Sequence, residues 1–130
     1  MAKQLDVSVV TPYKSLFQGA VDSLQLPLDD GLVGIMPGHA SMLAKLGIGK
    51  LTIRQNSEVK TLFVDSGFIE VNSDKVTVLA SNALTIEEIK KNDVLKEHDS
   101  IIAEKAVGDQ EIDEKLNRLK ATRAKLHLVS

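Results

Sequence analysis

Through about the first 80 residues of this chain apolar side chains recur at every second position, and from residue 85 they recur at every third or fourth. A period of two belongs to strands with one face buried, and a period near 3.6 to helices with one apolar stripe. The switch therefore divides the chain into a sheet-rich part followed by a helical part. In the first part Leu5, Val7 and Val9 alternate with Gln4, Asp6 and Ser8, and Leu24 and Leu26 with Ser23 and Gln25. Leu51 and Ile53 alternate with Lys50, Thr52 and Arg54, and Val76 and Val78 with Lys75 and Thr77. Turn signals separate these runs: TPYK at 11–14, LDDG at 28–31, MPG at 36–38, QNSE at 55–58 and NSD at 72–74. Short strands at this spacing point to an antiparallel β-sandwich.

In the second part Val94, Leu95, His98, Ile101, Ile102 and Lys105 share one side of a helix, and Ile112, Leu116, Leu119, Arg123 and Leu126 follow at helical steps. Gly108 is the break between them and Asp109 an N-cap, which predicts an antiparallel helical hairpin. Two starts suit the first helix: the capping-box spacing of Thr85 to Glu88, or Asn92 as cap. The fold class is thus α+β, with a sandwich over 1–84 and a two-helix hairpin over 85–130. Both apolar stripes are narrow, close to a coiled-coil seam. Helix nucleation is costly, so the hairpin is expected to need the sandwich or a partner to stay folded.

At 130 residues this length suits one compact domain, with or without an appendage. Sixteen basic and 18 acidic residues leave a formal net charge of −2, which gives no field to draw nucleic acid. With no cysteine there is no disulfide, thiol nucleophile or cysteine-bound zinc. No apolar run reaches the roughly 18 residues of a membrane span, so direct membrane insertion is not expected.

The search for chemistry is as sparse. His39, His98 and His127 have no partner at metal-binding spacing, and Ser41 lies in no G-x-S-x-G elbow. Gly31, Gly34 and Gly38 match neither a dinucleotide nor a phosphate-loop pattern. No catalytic residue, metal site or cofactor is expected, and His39 is expected to hydrogen-bond within its turn. An esterase built on His39 and Ser41 lacks a credible acid and oxyanion arrangement. A free-standing ligand-binding, nucleotide-sensing sandwich with a helical lid is the alternative function. Tyr13, Phe17, Phe63 and Phe68, the only aromatic residues, do not suggest a lined pocket for it.

Four segments together resemble a known family, the epsilon subunit of bacterial F-type ATP synthases, called delta in mitochondria. GIMPGHASML is similar to the family's G-I-x-P-G-H-A segment through Gly34, Ile35, Pro37, Gly38, His39 and Ala40. LDVSVVTP resembles its opening strand, SGFIEV at 66–71 its glycine-turn strand, and KVTVLA at 75–80 its last strand before the helices. The resemblance spans the chain and is most specific in the first 80 residues. It implies a non-catalytic rotor subunit that couples c-ring rotation to the catalytic head and restrains ATP hydrolysis through its C-terminal helices. The implied partners are the gamma subunit, the polar loops of the c-ring, and the catalytic beta and alpha subunits. The implied location is peripheral, on the cytoplasmic face of the bacterial plasma membrane, with the plastid thylakoid as the other compartment open to it.

Under that resemblance Asp30, Gly31, Leu32, Met36, Pro37, Gly38 and His39 form the partner interface. Alternation sets Val33 and Ile35 on one face and Leu32 and Met36 on the other, without saying which faces inward. The cations Lys115, Arg118, Lys120, Arg123 and Lys125 form a regulatory basic face for an acidic partner. Two departures are visible. The family's S-E-G-E falls on Asp29, Asp30, Gly31 and Leu32, so the second acid is a leucine. The nucleotide pattern I/L-D-x-x-R-A falls, with a gap, on Asn92, Asp93, Lys96 and Glu97, and without it on Ile89, Lys90, Asp93 and Val94. Asp93 and Lys96 are the remaining nucleotide candidates. Lysine is not a guanidinium fork and Glu97 would repel phosphate, so ATP is not expected as a regulatory ligand.

Overall fold

The computed structural model describes residues 3–129. Eight strands come first: β1 (Leu5–Val10), β2 (Ser15–Val21), β3 (Ser23–Leu28), β4 (Gly31–Ile35), β5 (Met42–Lys45), β6 (Ile48–Gln55), β7 (Glu58–Asn72) and β8 (Lys75–Thr85). A 3-10 turn, Ile86–Glu88, leads into α1 (Lys91–Ala103) and α2 (Asp109–Val129). The strands pair in the order β2-β1-β8-β7-β6-β3-β4, with β5 added to β7. Two layers arise because β7 and β8 are long enough to serve both. Glu58–Asp65 of β7 pairs with β6, whereas its 67–72 part pairs with β5 and with the start of β8.

The alternating residues close the core between the layers. Leu5, Val7, Val9, Leu24, Leu26, Leu51, Ile53, Val76 and Val78 are all buried. One ladder departs from the antiparallel expectation: β1 runs parallel to β8, from Asp6 opposite Lys75 to Val10 opposite Leu79. Alternation marks which face a strand buries but carries no sign of strand direction.

The corner of β7 lies at Ser66 and Gly67, whose φ values are +60° and +119°. A Cβ on residue 67 would lie 1.9 Å from the Leu79 carbonyl oxygen, so only glycine fits there. Gly67→Ala is expected to cost about 3 kcal/mol or more through combined steric and backbone strain. Gly34→Ala, where an added Cβ meets nothing within 4 Å, should stay within about 0.5 kcal/mol of wild type. Urea melts of the two variants check the contrast.

The connection to the hairpin is pinned from two sides. Thr85 donates its backbone N–H to Glu88 Oε1 at 3.1 Å, the carboxylate half of a capping box, and its hydroxyl donates to the same oxygen at 3.1 Å. That box caps only the 3-10 turn; α1 begins at Lys91 with Lys90 in the cap position, and Asn92 lies inside the helix. Lys14, from the turn after β1, pairs with Glu88 Oε2. The Lys14 ammonium and then the Thr85 N–H hold the Glu88 carboxyl well below its ordinary 4.5, at about 2. A depressed carboxylate stabilises the fold above its unfolded-state pKa and loses that contribution as pH falls through the folded value. Wild type should therefore exceed Glu88→Gln in melting temperature at pH 6, and the gap should close between pH 4.5 and 2. The pair is solvent-exposed, so added salt should shrink the gap as well.

Candidate functional site

The glycine-rich segment 29–39 forms the β3–β4 turn, the edge strand β4 and the turn after it. Leu24 of β3 pairs with Ile35 and Leu26 with Val33, which turns Val33 and Ile35 toward the core. Leu32 and Met36 consequently face out, at 69% and 64% exposure. Asp30, Gly31 and Gly38 are exposed beside them, with Pro37 and His39 half-buried. The second turn is held firmly. His39 N–H donates to the Met36 carbonyl at 3.1 Å, and Gly38 N–H donates to Asp74 Oδ1 at 2.7 Å. His39 Nδ1 donates to the Ala40 carbonyl at 2.7 Å, a hydrogen bond in its own turn as expected. Ser41 is exposed, and among the described residues no three His, Asp or Glu side chains gather to hold a metal ion.

A larger surface was missed in the sequence. On the outer side of the β5-β7-β8-β1 layer Lys45 opposes Phe68, Phe68 opposes Leu79, and Leu79 opposes Val10. Residues directly opposite share a face. Phe68 and Leu79 are half exposed, and Leu43 of β5 is more so. Val10, Thr11, Pro12, Phe68 and Leu79 line a mainly apolar groove of about 290 Å³. The signal was available: Ile69 and Val71 point inward, as do Val78 and Ala80, so Phe68 and Leu79 must point outward.

The outer side of the other layer is covered. Phe63 points away from the sandwich core into a second cluster with Ile89, Val94 and Ala121, flanked by Ile48, Leu84, Ala124 and Leu128. The hairpin therefore packs on the sandwich. Of the predicted stripe residues only Val94, Ile101 and Leu119 are buried; Leu95, Ile102, Ile112, Leu116 and Arg123 are exposed. Buried Thr122 joins the helices instead. Its hydroxyl donates to the Leu119 carbonyl at 3.0 Å and accepts from His98 Nδ1 at 2.7 Å.

The five cations of α2 do not form one open face. Lys115 Nζ donates to the carbonyls of Ile102 and Glu104, closing the end of α1. Arg118 pairs with Glu104 at 2.8 Å, and the Lys125 ammonium lies 5.1 Å from the Phe63 ring centroid. Lys120 and Arg123 are exposed. Between α2 and the sheet a cleft of about 180 Å³ is lined by Asp65, Asn82, Glu97, Arg118 and Lys125 among others. Asp93 and Lys96 do not line it, and two carboxylates answer its two cations.

Residues 4–86 match the family model for the ATP synthase delta/epsilon chain, beta-sandwich domain. The chain belongs to this family. An ATP synthase epsilon chain of Leptospira borgpetersenii is 44% identical over 88 residues, covering 68% of this chain and 69% of that one. One from a Synechococcus species is 46% identical over 79 residues, covering 61% and 58%. A likeness of fold to solved structures extends through the hairpin. A chain of the Euglena gracilis mitochondrial ATP synthase superposes with a TM-score of 0.85 at 18% identity, over 98% of this chain and 82% of that chain. A chain from the central stalk and c-ring structure of the Tetrahymena thermophila mitochondrial enzyme gives 0.77 at 19% identity over the whole of both. As a member of the delta/epsilon family the chain is a non-catalytic subunit of the ATP synthase complex. No helix among the described residues is long and apolar enough to cross a membrane.

Proposed function

We propose that this delta/epsilon chain is a rotor subunit of the central stalk of a proton-translocating F-type ATP synthase, peripheral on the cytoplasmic face of a bacterial plasma membrane. The observation that carries this reading is the asymmetry of the sandwich. One outer face is covered by the chain's own hairpin, whereas the other leaves Phe68, Leu79 and Leu43 to solvent. Such a face suits a permanent neighbour, here the gamma subunit. Leu32 and Met36, on a well-tied edge, suit the polar loops of the c-ring. The reading needs no cofactor, and the carboxylates lining the α2 cleft disfavour ATP as a ligand.

The hairpin is the regulatory part of the proposal, in which its cations restrain hydrolysis by meeting an acidic segment of the catalytic subunits. Lys120 and Arg123 are available for this at once. Lys115, Arg118 and Lys125 become available only when the hairpin opens, because they now hold α1 and cover Phe63. Complexes rebuilt without the chain, with wild type, and with Arg118→Ala plus Arg123→Ala test both halves. Wild type should restore ATP-driven proton pumping, and the double variant should keep pumping while hydrolysing ATP faster, most visibly at low salt. Pumping that does not depend on the chain would overturn the rotor role, and equal hydrolysis rates would remove the inhibitory one.

A further inference from the structure

Four aliphatic side chains of the hairpin are turned to solvent although the sequence places them in a seam. They are Leu95 and Ile102 on α1 and Ile112 and Leu116 on α2, with Ile102 at 54% and Leu116 at 56% exposure. Within each helix the two lie on one face, seven residues apart on α1 and four apart on α2. Lys115 Nζ donates to the Ile102 carbonyl at 3.2 Å, which brings this stretch of α2 alongside the end of α1. At about 100° per residue, Ile112 and Leu116 sit roughly 140–180° around α2 from Ala121 and Lys125, which pack toward the sheet. The strip thus faces away from the sandwich, along the outer side of the joint between the two helices.

Its rim is acidic. Exposed Asp99, Asp109 and Asp113 each stand three residues before Ile102, Ile112 and Leu116 in turn. From Asp99 to Glu114 the chain holds six acids against the single base Lys105. Two of the six are occupied: Glu104 by Arg118, and Glu111 by the Val107 N–H at 3.0 Å. The dipole of α2 accounts for acids in its first turn. It does not account for Asp99 well inside α1, nor for aliphatics left exposed between the acids.

We propose that the outer joint at the hairpin tip docks a cationic amphipathic helix from a partner polypeptide. Its apolar stripe would lie on Ile102, Ile112 and Leu116 and continue to Leu95, with Lys or Arg side chains reaching Asp99, Asp109 and Asp113. Two antiparallel helices with an apolar strip along their joint are completed by a third laid along it. Leu95 to Ile102 spans about 10 Å, so a partner segment of about three turns covers the strip. A second copy of this chain would bring its own acidic tip and is the poorer occupant.

The probe is a synthetic amphipathic helix of about four turns with leucines on one face and lysines flanking them, compared with a twin in which glutamates replace the lysines. Fluorescence anisotropy against the full-length chain should show at least about tenfold tighter binding of the lysine peptide, weakening with salt. Ile102→Asn combined with Leu116→Asn should lower that affinity by about tenfold or more while leaving the melting temperature unchanged, since both positions are exposed. Val59→Asn, an exposed site on the sandwich, should change nothing. Equal binding of the twins, or full binding by the double variant, would overturn the proposal. So would a chain dimer that the double variant dissolves, because the strip would then belong to a second copy. A photo-reactive benzophenone side chain at position 116 in the assembled complex should join this chain to a Lys- or Arg-rich helical segment of another subunit. A cross-link to its own sandwich, or none, would count against it. These readouts do not depend on proton pumping, so they stand apart from the test of the rotor reading.

Discussion

Phe63→Ala is expected to destabilise the chain by about 4 kcal/mol and to release the helical hairpin before the sandwich. Phe63 is fully buried, yet it lies outside the main core. Its neighbours on β7, Leu62 and Val64, point into the sandwich, while its ring lies on the outer face beneath the helices. Truncation would open a cavity bounded by Ile89, Val94 and Ala121, and the Lys125 ammonium would lose its aromatic partner. That cation–ring contact contributes only about 0.5–1 kcal/mol, so apolar burial sets most of the loss. Hydrogen exchange separates the regions: amides of α1 and α2 should lose protection by far more than those of β1 and β7. Uniform loss in helices and strands would mean that the hairpin and the sandwich unfold as one unit. The same geometry qualifies removal of residues 85–130. A sandwich cut there exposes Phe63, Ile48 and Leu84 together and should aggregate unless Phe63 is also made polar.

The alternation of Leu5, Val7, Val9, Leu24, Leu26, Leu51, Ile53, Val76 and Val78 was enough to read the core, because a half-buried strand can place such a pattern in only one way. The β7 run Leu62–Phe63–Val64 defeats that logic. Three consecutive buried residues arise where both faces of a strand are covered, and the second cover comes from helices whose contacting residues, Val94 and Ala121, lie about 30 and 60 residues on. The helices were legible as elements but not in their packing. A 3.6-residue period marks an apolar side without naming its neighbour, and α2 faces both α1 and the sheet. So Ala121 and Thr122, absent from the predicted stripe, are buried, while Ile112 and Leu116 within it are exposed. At the glycine-rich edge the sequence separated Val33 and Ile35 from Leu32 and Met36. Only the pairing of Ile35 with Leu24 decides which pair turns inward. The partners of the α2 cations were hidden for a related reason. Charge order along α2 is visible in sequence, but the acceptors of Lys115 and Arg118 lie at the end of α1.

Phe68→Asp combined with Leu79→Asp should strip the chain from the assembled complex while leaving the isolated fold intact. The two residues are direct partners across β7 and β8, both outward, and the groove beside them is mainly apolar. A carboxylate in a desolvated interface costs a few kcal/mol unless a cation meets it, so two adjacent ones should weaken binding by at least about 100-fold. In the free chain both aspartates would be hydrated, and the melt should move by no more than the small shift expected of surface changes. Leu32→Asp, at the turn edge, should act differently: the chain stays bound through its sheet face, and proton pumping per ATP hydrolysed declines. Washed complexes reconstituted with each variant give both readouts, subunit content by densitometry and pumping by quenching of a pH-sensitive dye. If the double aspartate chain is retained and pumps like wild type, the Phe68–Leu79 face is ordinary surface. The docking reading would then rest on the Leu32–Met36 edge alone.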